Sequence, residues 1–223
     1  MAWLWQHIKL LVDPMFLSGI VDSYGWLAYA LLFAIILAET GLLVAFLPGD
    51  SLLFIAGFVC SGASAVFLKR AEPALNIWIL VPLLCVAAIV GDTIGFGIGK
   101  AMGPALFRRP DSWLFNQKNL RKTHEFYERH GGKTIIYARF IPIVRTFAPV
   151  VAGVGGMDYR RFIAFNVFGG IGWIVSMTVL GYFLGGIPII QRNLEKAVIV
   201  VIVVSVLPIV FEYLKERRAA KVA

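Results

Sequence analysis

Residues 39–53 read ETGLLVAFLPGDSLL, and this stretch is the most informative part of the sequence for the fold. It lies inside residues 25–68, a long and almost entirely apolar run that no basic loop divides. Pro48 and Gly49 disrupt a helix, and irregular backbone that faces lipid is not tolerated at membrane depth. We therefore predict that residues 25–68 form a re-entrant helical hairpin whose tip is buried in protein.

The whole chain has the composition of a polytopic membrane protein. Hydrophobic residues make up 59% of the 223 residues and charged residues 15%, against roughly 25% charged residues in a typical soluble domain. The mean hydropathy is +0.81. This composition argues against a soluble enzyme, a disordered regulator and a disulfide scaffold. Cys60 and Cys85 lie in apolar runs and are expected to pack as small core residues. The sequence predicts an all-α fold in a single membrane domain.

A second interrupted apolar run covers residues 134–157. Arg139, Pro142, Arg145 and Pro149 break it, so it predicts a second re-entrant hairpin. The uninterrupted apolar runs, which we predict to be spanning helices, cover residues 77–99, 162–185 and 196–213.

Basic residues predict the orientation. They cluster in a polar loop or helix at residues 100–133, at Arg160 and Arg161, and in the tail at residues 214–223. By the positive-inside rule these segments are cytoplasmic. The two hairpins then enter from opposite faces, as in an inverted repeat with its binding site near the midplane. We therefore attribute the net charge of +8 to basic residues that set the membrane orientation and contact anionic lipid headgroups. No nucleic-acid partner is predicted.

The N-terminal segment, residues 1–22, carries Trp3 and Trp5 among polar residues. This pattern predicts an interfacial amphipathic helix. A first spanning helix is the alternative, although Asp13-Pro14 interrupts it. The segment has no basic n-region and no small-residue cleavage site, so we expect no cleaved signal peptide.

Four charges lie in the two predicted hairpins: Glu39 and Asp50 in the first, Arg139 and Arg145 in the second. Each costs about 2.5–3.5 kcal/mol at a helix centre, so we expect them to neutralise one another in one hydrated cavity. The guanidinium fork matches a phosphate, which suits Arg139 and Arg145 to a lipid headgroup. Glu39 and Asp50, partly desolvated beside other charges, are suited to carrying protons. The alternative is a set of ion pairs that only pins the hairpins together.

Asp92 is a further acid in an apolar run, and it is either a hydrogen-bonding group in helix packing or a third member of the site. Close helix approach is indicated by glycines at every fourth position, namely Gly91, Gly95, Gly99, Gly103, and by Gly181 with Gly185. Such stripes pack helices within one chain or between copies, so a homo-oligomer is compatible with the sequence. Trp173 is interpreted as an interface anchor or a packing residue.

Motifs of enzymes are missing from the sequence. It has no G-x-S-x-G, no Walker loop and no H-E-x-x-H, and His124 and His130 fit no metal-site spacing. We therefore expect no enzymatic activity, no cofactor and no metal site.

Three motifs together resemble the bacterial DedA family. They are E-T-G-L-x4-L-P-G-D-S-L-L at 39–53, H-x-F-Y-x-x-H-G-G-K at 124–133 and A-R-F-x-P-x-V-R-T-x-x-P-x-x-A-G at 138–153. This family shares the VTT domain, also called the SNARE-associated Golgi protein domain, with eukaryotic lipid scramblases. The resemblance covers residues from about 20 to 215.

The resemblance implies an inner-membrane protein with two re-entrant hairpins that translocates lipid. Some members recycle undecaprenyl phosphate for the cell wall and others move phosphatidylethanolamine. It also implies dependence on the proton motive force and links to alkaline pH and drug tolerance. The acids that the family requires match Glu39 and Asp50, and its required arginines match Arg139 and Arg145.

These features predict a proton-coupled flippase that returns a phosphate-bearing lipid, such as undecaprenyl phosphate, to the inner leaflet. The expected partners are membrane lipids and protons. The alternatives are a phosphatidylethanolamine flippase or scramblase and a proton-coupled cation or drug antiporter. An antiporter would use the acids but leave two arginines without a role. A lipid-phosphate enzyme and a scaffold for envelope proteins are two further classes, and no sequence feature favours either.

Overall fold

A computed structural model of the chain describes residues 14–42, 49–69, 71–107, 139, 142–187 and 190. Within these ranges all regular structure is helical, which confirms the predicted all-α class. The predicted segments 196–213 and 214–223 lie outside the described residues. So do residues 1–13 of the N-terminal segment, 108–133 of the basic segment, and most of residues 134–141.

Seven helices follow one another in the described part of the chain. They are α1 (Pro14–Tyr24), α2 (Leu27–Gly41), α3 (Gly49–Val59), α4 (Gly62–Phe67), α5 (Ile77–Phe107), α6 (Pro142–Val154) and α7 (Tyr159–Leu184).

Two of these helices are long and apolar enough to cross a membrane. The apolar part of α5, Ile77–Gly103, has 27 residues and α7 has 26, and about 20 residues are needed to cross a bilayer. Helix α5 continues beyond the predicted end at residue 99, and α7 begins before residue 162. The outward side of α7 is apolar, with Phe168 and Phe183 exposed by 72% and 68%. Such a surface fits a lipid environment and not water.

Backbone geometry sets the helix ends. Gly25 (φ 53°) joins α1 to α2, and Gly156 (φ 71°) follows α6; both adopt the left-handed conformation that glycine reaches without strain. The Asp158 carboxylate then caps α7, accepting hydrogen bonds from the backbone N–H groups of Arg160 and Arg161 at 3.0 and 3.1 Å. The turn after α6 therefore fixes where α7 begins.

Helix α3 lies in the centre of the core, and every residue from Gly49 to Val59 is buried. An apolar helix of 11 residues is about 17 Å long, which is shorter than the roughly 30 Å hydrocarbon core of a bilayer. Residues of α2, α5 and α7 surround it in one apolar cluster that includes Leu32, Leu84 and Trp173. Cys60 and Cys85 are free and buried, as predicted.

Glycines bring α3 and α7 into backbone contact. A Cβ atom on Gly57 would collide with the carbonyl oxygen of Thr178, and one on Gly181 would collide with the carbonyl oxygen of Phe54. A Cβ atom on Gly185 would overlap the ring of Phe58. The predicted close approach at Gly181 and Gly185 is confirmed. We refer to these two helices as the α3–α7 pair.

The glycine stripe of α5 receives two other helices. On one side Gly91 faces α2, where a Cβ atom on Gly41 would lie 3.1 Å from the Gly91 Cα atom. On the other side a Cβ atom on Gly99 would collide with the carbonyl oxygen of Val150 in α6. The predicted packing role of the stripe is therefore confirmed, and we refer to these helices as the α2–α5–α6 group.

A matched pair of substitutions on α7 tests the glycine contacts. Gly181→Ala places a methyl group against the backbone of α3 and should destabilise the protein by about 1–3 kcal/mol. Gly172→Ala places its methyl group where no atom lies within 4 Å, and it should leave stability unchanged or raise it, because alanine favours the helix. The unfolding temperatures of both variants in detergent can be measured by heating and monitored by size-exclusion chromatography. Equal unfolding temperatures for the two variants would contradict the described packing.

Candidate functional site

Arg145 is the centre of a buried charged site. It lies in α6, and its side chain is 7% exposed. Its Nη2 atom donates a hydrogen bond to Glu39 Oε1, and its Nη1 atom donates one to Asp50 Oδ1. One guanidinium thus holds a carboxylate at each branch of its fork, a geometry that gives strong, charge-assisted hydrogen bonds.

The two carboxylates come from neighbouring helix ends. Glu39 lies in the last turn of α2 and Asp50 in the first turn of α3. The N-terminal end of a helix favours a negative charge, which suits the position of Asp50. Gly49 leaves the room that Glu39 occupies, because a Cβ atom on Gly49 would overlap the Glu39 carboxylate. Gly49 therefore both begins α3 and leaves space for the ion pair.

Trp173 completes this cluster from α7. Its indole Nε1–H donates a hydrogen bond to Asp50 Oδ1 at 2.7 Å. The centroid of its ring lies 4.3 Å from the Cζ atom of Arg145, which is a cation–π contact. We call Glu39, Asp50, Arg145 and Trp173 the Arg145 cluster.

A second cluster forms around Arg139. Its Nη1 atom donates hydrogen bonds to Asp92 Oδ2 on α5 and to Asn166 Oδ1 on α7, the latter at 2.8 Å. The Asn166 side chain in turn donates to the Ile89 carbonyl oxygen at 3.1 Å, which fixes the amide. Gly170 leaves space beside the guanidinium, since a Cβ atom there would lie 3.3 Å from Arg139 Nη2. We call Arg139, Asp92 and Asn166 the Arg139 cluster.

The structure groups the predicted charges differently from the sequence analysis. Glu39, Asp50 and Arg145 meet as expected, but Arg139 pairs with Asp92 and not with the hairpin acids. The two clusters still interact electrostatically, because the charge of Arg145 acts on Asp92 and on Arg139. The described site therefore contains three carboxylates and two guanidinium groups, with Asp92 as the third member that the sequence had left open.

Several polar atoms of the two clusters are left without a partner among the described residues. They are Glu39 Oε2, Arg145 Nε and Arg139 Nη2, and all three are buried. An unpaired buried polar atom is costly. Glu39 Oε2 is therefore free to accept a hydrogen bond from a ligand or water, and Arg145 Nε and Arg139 Nη2 are free to donate one. Within the same part of the chain, no three His, Cys, Asp or Glu side chains form a group that could hold a metal ion.

Sequence reasoning missed Asn166 and the polar contact of Trp173. Trp173 is only 1% exposed and lies in the core, which confirms the packing alternative and not the interface anchor; its hydrogen bond to Asp50 was not predicted. Asn166, Gly170 and Trp173 are spaced at i, i+4 and i+7, which places them on one face of α7. That stripe of polar, small and aromatic residues in an apolar helix was the available signal.

Comparison with known proteins gives the family. The family model for the VTT domain matches residues 47–183. The chain is 51% identical over 205 residues to Protein DedA of Escherichia coli, covering 92% of this chain and 90% of that protein. An uncharacterized membrane protein of Mycobacterium leprae is 42% identical, covering 94% and 92%.

A more distant relative is the inner membrane protein YqjA of Escherichia coli, which is 31% identical and covers 93% of this chain and 87% of that protein. No solved structure matches the chain. The domain match, the shared length and the two long apolar helices agree with one another, and the chain belongs to the DedA family of membrane proteins.

Proposed function

We propose that this chain is a proton-coupled flippase that moves a phosphate-bearing lipid across the inner membrane. The observation that carries the proposal is the buried guanidinium of Arg145, which binds a carboxylate at each branch of its fork. A phosphate monoester presents oxygens that fit the same fork. A headgroup can therefore take the place of a carboxylate without leaving the arginine unpaired.

Proton coupling follows from the charge of the Arg145 cluster. It holds one positive and two negative groups when both acids are ionised. Arrival of an anionic headgroup adds negative charge in a low-dielectric interior, which proton uptake by a carboxylate offsets. Glu39 Oε2, with no hydrogen-bond partner among the described residues, offers a position for such a proton. Proton binding would thus accompany lipid binding, and proton release would favour return of the carboxylate to Arg145.

Two re-entrant hairpins related by an inverted repeat are the architecture that we propose for this mechanism. Helices α2 and α3 have 15 and 11 residues, short for a crossing that needs about 20. The packing also exchanges partners: α3 of the first half packs on α7 of the second, and α6 of the second half packs on α5 of the first. Reciprocal exchange of this kind is expected from two halves that are related by a two-fold axis.

A proline interrupts the hydrogen bonding of α6 beside the site. Pro149 lies inside α6, and it has no N–H to donate to the carbonyl oxygen of Arg145 four residues earlier. The turn of α6 that carries Arg145 is therefore held by fewer hydrogen bonds than an ordinary helix. We propose that this turn lets Arg145 face the two leaflets alternately.

We further propose that the basic segment at 100–133, Arg160, Arg161 and the C-terminal tail face the cytoplasm, and that residues 1–22 lie in the interface. The location in the inner membrane is supported by the name of YqjA as an inner membrane protein. Undecaprenyl phosphate is the proposed lipid, returned from the outer to the inner leaflet. Phosphatidylethanolamine remains the second candidate, and a cation or drug antiporter the third.

The antiporter and enzyme classes make different predictions. An antiporter has no use for a guanidinium that occupies both acids, whereas Arg145 does so here. We propose that the chain is not an enzyme, and that it acts without a cofactor, metal ion or nucleic-acid partner. Phosphate release from undecaprenyl phosphate by the purified protein would contradict this. A homo-oligomer is compatible with the glycine contacts, although those described here lie within one chain.

Substitution of Arg145 tests the headgroup site. Arg145→Lys keeps the positive charge but removes the guanidinium fork. Movement of labelled undecaprenyl phosphate in proteoliposomes should slow by about tenfold or more, because one charge-assisted hydrogen bond to the headgroup is lost. Arg160→Lys changes an exposed arginine and serves as the matched control, with the native rate expected. Equal rates for the two variants, at equal thermal stability, would reject Arg145 as the headgroup site.

Substitution of Glu39 tests proton coupling. Glu39→Gln retains an oxygen for the Arg145 hydrogen bond but cannot exchange a proton, so an imposed pH gradient should no longer accelerate lipid movement. Glu72→Gln removes an exposed acid and should leave the response to the gradient intact. A response in Glu39→Gln as large as in the native protein would show that Glu39 does not couple protons to transport.

A further inference from the structure

The contacts of the Arg145 cluster divide between two packing units. Glu39 and Arg145 belong to the α2–α5–α6 group, whereas Asp50 and Trp173 belong to the α3–α7 pair. The Arg145–Glu39 hydrogen bond is therefore made within one unit. The contacts of Arg145 with Asp50 and with Trp173 both cross to the other unit.

Backbone contacts make the α3–α7 pair a stiff body. Thr178 and Gly181 touch the α3 backbone along the same helix that carries Trp173. Asp50 and Trp173 are therefore held on one packed pair of helices, and Arg145 reaches both of them from α6. Displacement of Asp50 from Arg145 by another anion would leave Glu39 on the guanidinium.

The indole N–H of Trp173 would then be the hydrogen-bond donor that Asp50 keeps. The indole N–H is a donor with no acceptor function, and it already holds Asp50 Oδ1 at 2.7 Å. Once Arg145 turns to another anion, Asp50 keeps this one donor because both residues lie on the same stiff pair. Without it, a buried carboxylate would lose both hydrogen-bond donors that the described residues give it, which is the costly case.

We propose that Trp173 is a positioning residue of the headgroup site. A lipid phosphate displaces Asp50 from Arg145 while Glu39 stays bound to the guanidinium, and the Trp173 indole holds the displaced Asp50 in place. The inference rests on the proposed function, since it assigns the carboxylate that the headgroup replaces. The ring of Trp173, 4.3 Å from Arg145 Cζ, also covers one face of the guanidinium. A phosphate monoester must therefore approach along the edge of the fork that Asp50 vacates.

Kinetics of lipid movement separate a positioning role from a purely structural one. Trp173→Phe keeps an aromatic ring but loses the indole N–H. Without lipid, Arg145 still donates a hydrogen bond to Asp50, whereas with lipid phosphate on Arg145 neither of these two donors remains. The apparent KM for lipid phosphate should rise about tenfold, as loss of one hydrogen bond to a charged group warrants, with the maximal rate little changed. Trp78→Phe replaces an exposed tryptophan and should keep the native KM. A lower unfolding temperature for Trp173→Phe together with an unchanged KM would overturn the proposal.

Fluorescence gives a readout that does not depend on transport. With Trp3, Trp5, Trp26, Trp78 and Trp113 replaced by Phe, Trp173 is the only tryptophan. Dodecyl phosphate should change its emission saturably, and dodecanol should not. No change, or an equal change with dodecanol, would overturn the proposal. An equal response to inorganic phosphate would support phosphate binding beside Trp173 and assign it to the free ion.

The two proposals can fail separately. If the native protein moves no lipid phosphate but dodecyl phosphate still changes the emission of Trp173, the transport proposal is overturned and the phosphate contact is supported. If lipid moves and Trp173 does not respond, the flippase stands and the role of Trp173 is overturned.

Discussion

A guanidinium in a membrane interior must be neutralised where it lies, and the neutralisation of Arg145 is the constraint on which the described structure depends. Four helices contribute to it, because the two acids, the arginine and the indole each come from a different one. Because α2 ends at Gly41 and α3 begins at Gly49, Glu39 and Asp50 lie within reach of one side chain. The glycines of α5 and α7 then bring the supporting helices close enough for the contacts to form.

Buried ion pairs are weak evidence for stability, because the cost of removing the charges from water can exceed their attraction. Apolar residues of similar size would serve α2, α3, α6 and α7 as well if packing were the only requirement. Packing alone therefore does not explain why the described core holds three acids and two arginines. The exchange of a carboxylate for a phosphate that we propose gives these charges a role.

Much of this arrangement could be predicted from local sequence. The apolar runs predicted the helical class. Glu39, Asp50, Arg139 and Arg145 were expected to meet because each alone is costly in lipid, and three of the four do. The partner of Arg139 was not predictable, because its pairing with Asp92 depends on how α5 and α7 cross. The hydrogen bond of Trp173 was not predictable either, since its partner Asp50 lies far away in the sequence. The end of α5 at Phe107 was also missed, because apolar composition changes before the helix does.

One measurement separates a transport site from ion pairs that only hold helices together. The triple variant Glu39→Met, Asp50→Asn, Arg145→Met removes the three charges, and Asp50→Asn keeps an oxygen that accepts the hydrogen bond from the Trp173 indole. Because replacement of buried ion pairs by apolar residues of similar size is often neutral for stability, the variant should unfold near the native temperature. We expect that it folds but moves no undecaprenyl phosphate in proteoliposomes. Movement at the native rate by the folded variant would show that Arg145 does not bind the headgroup.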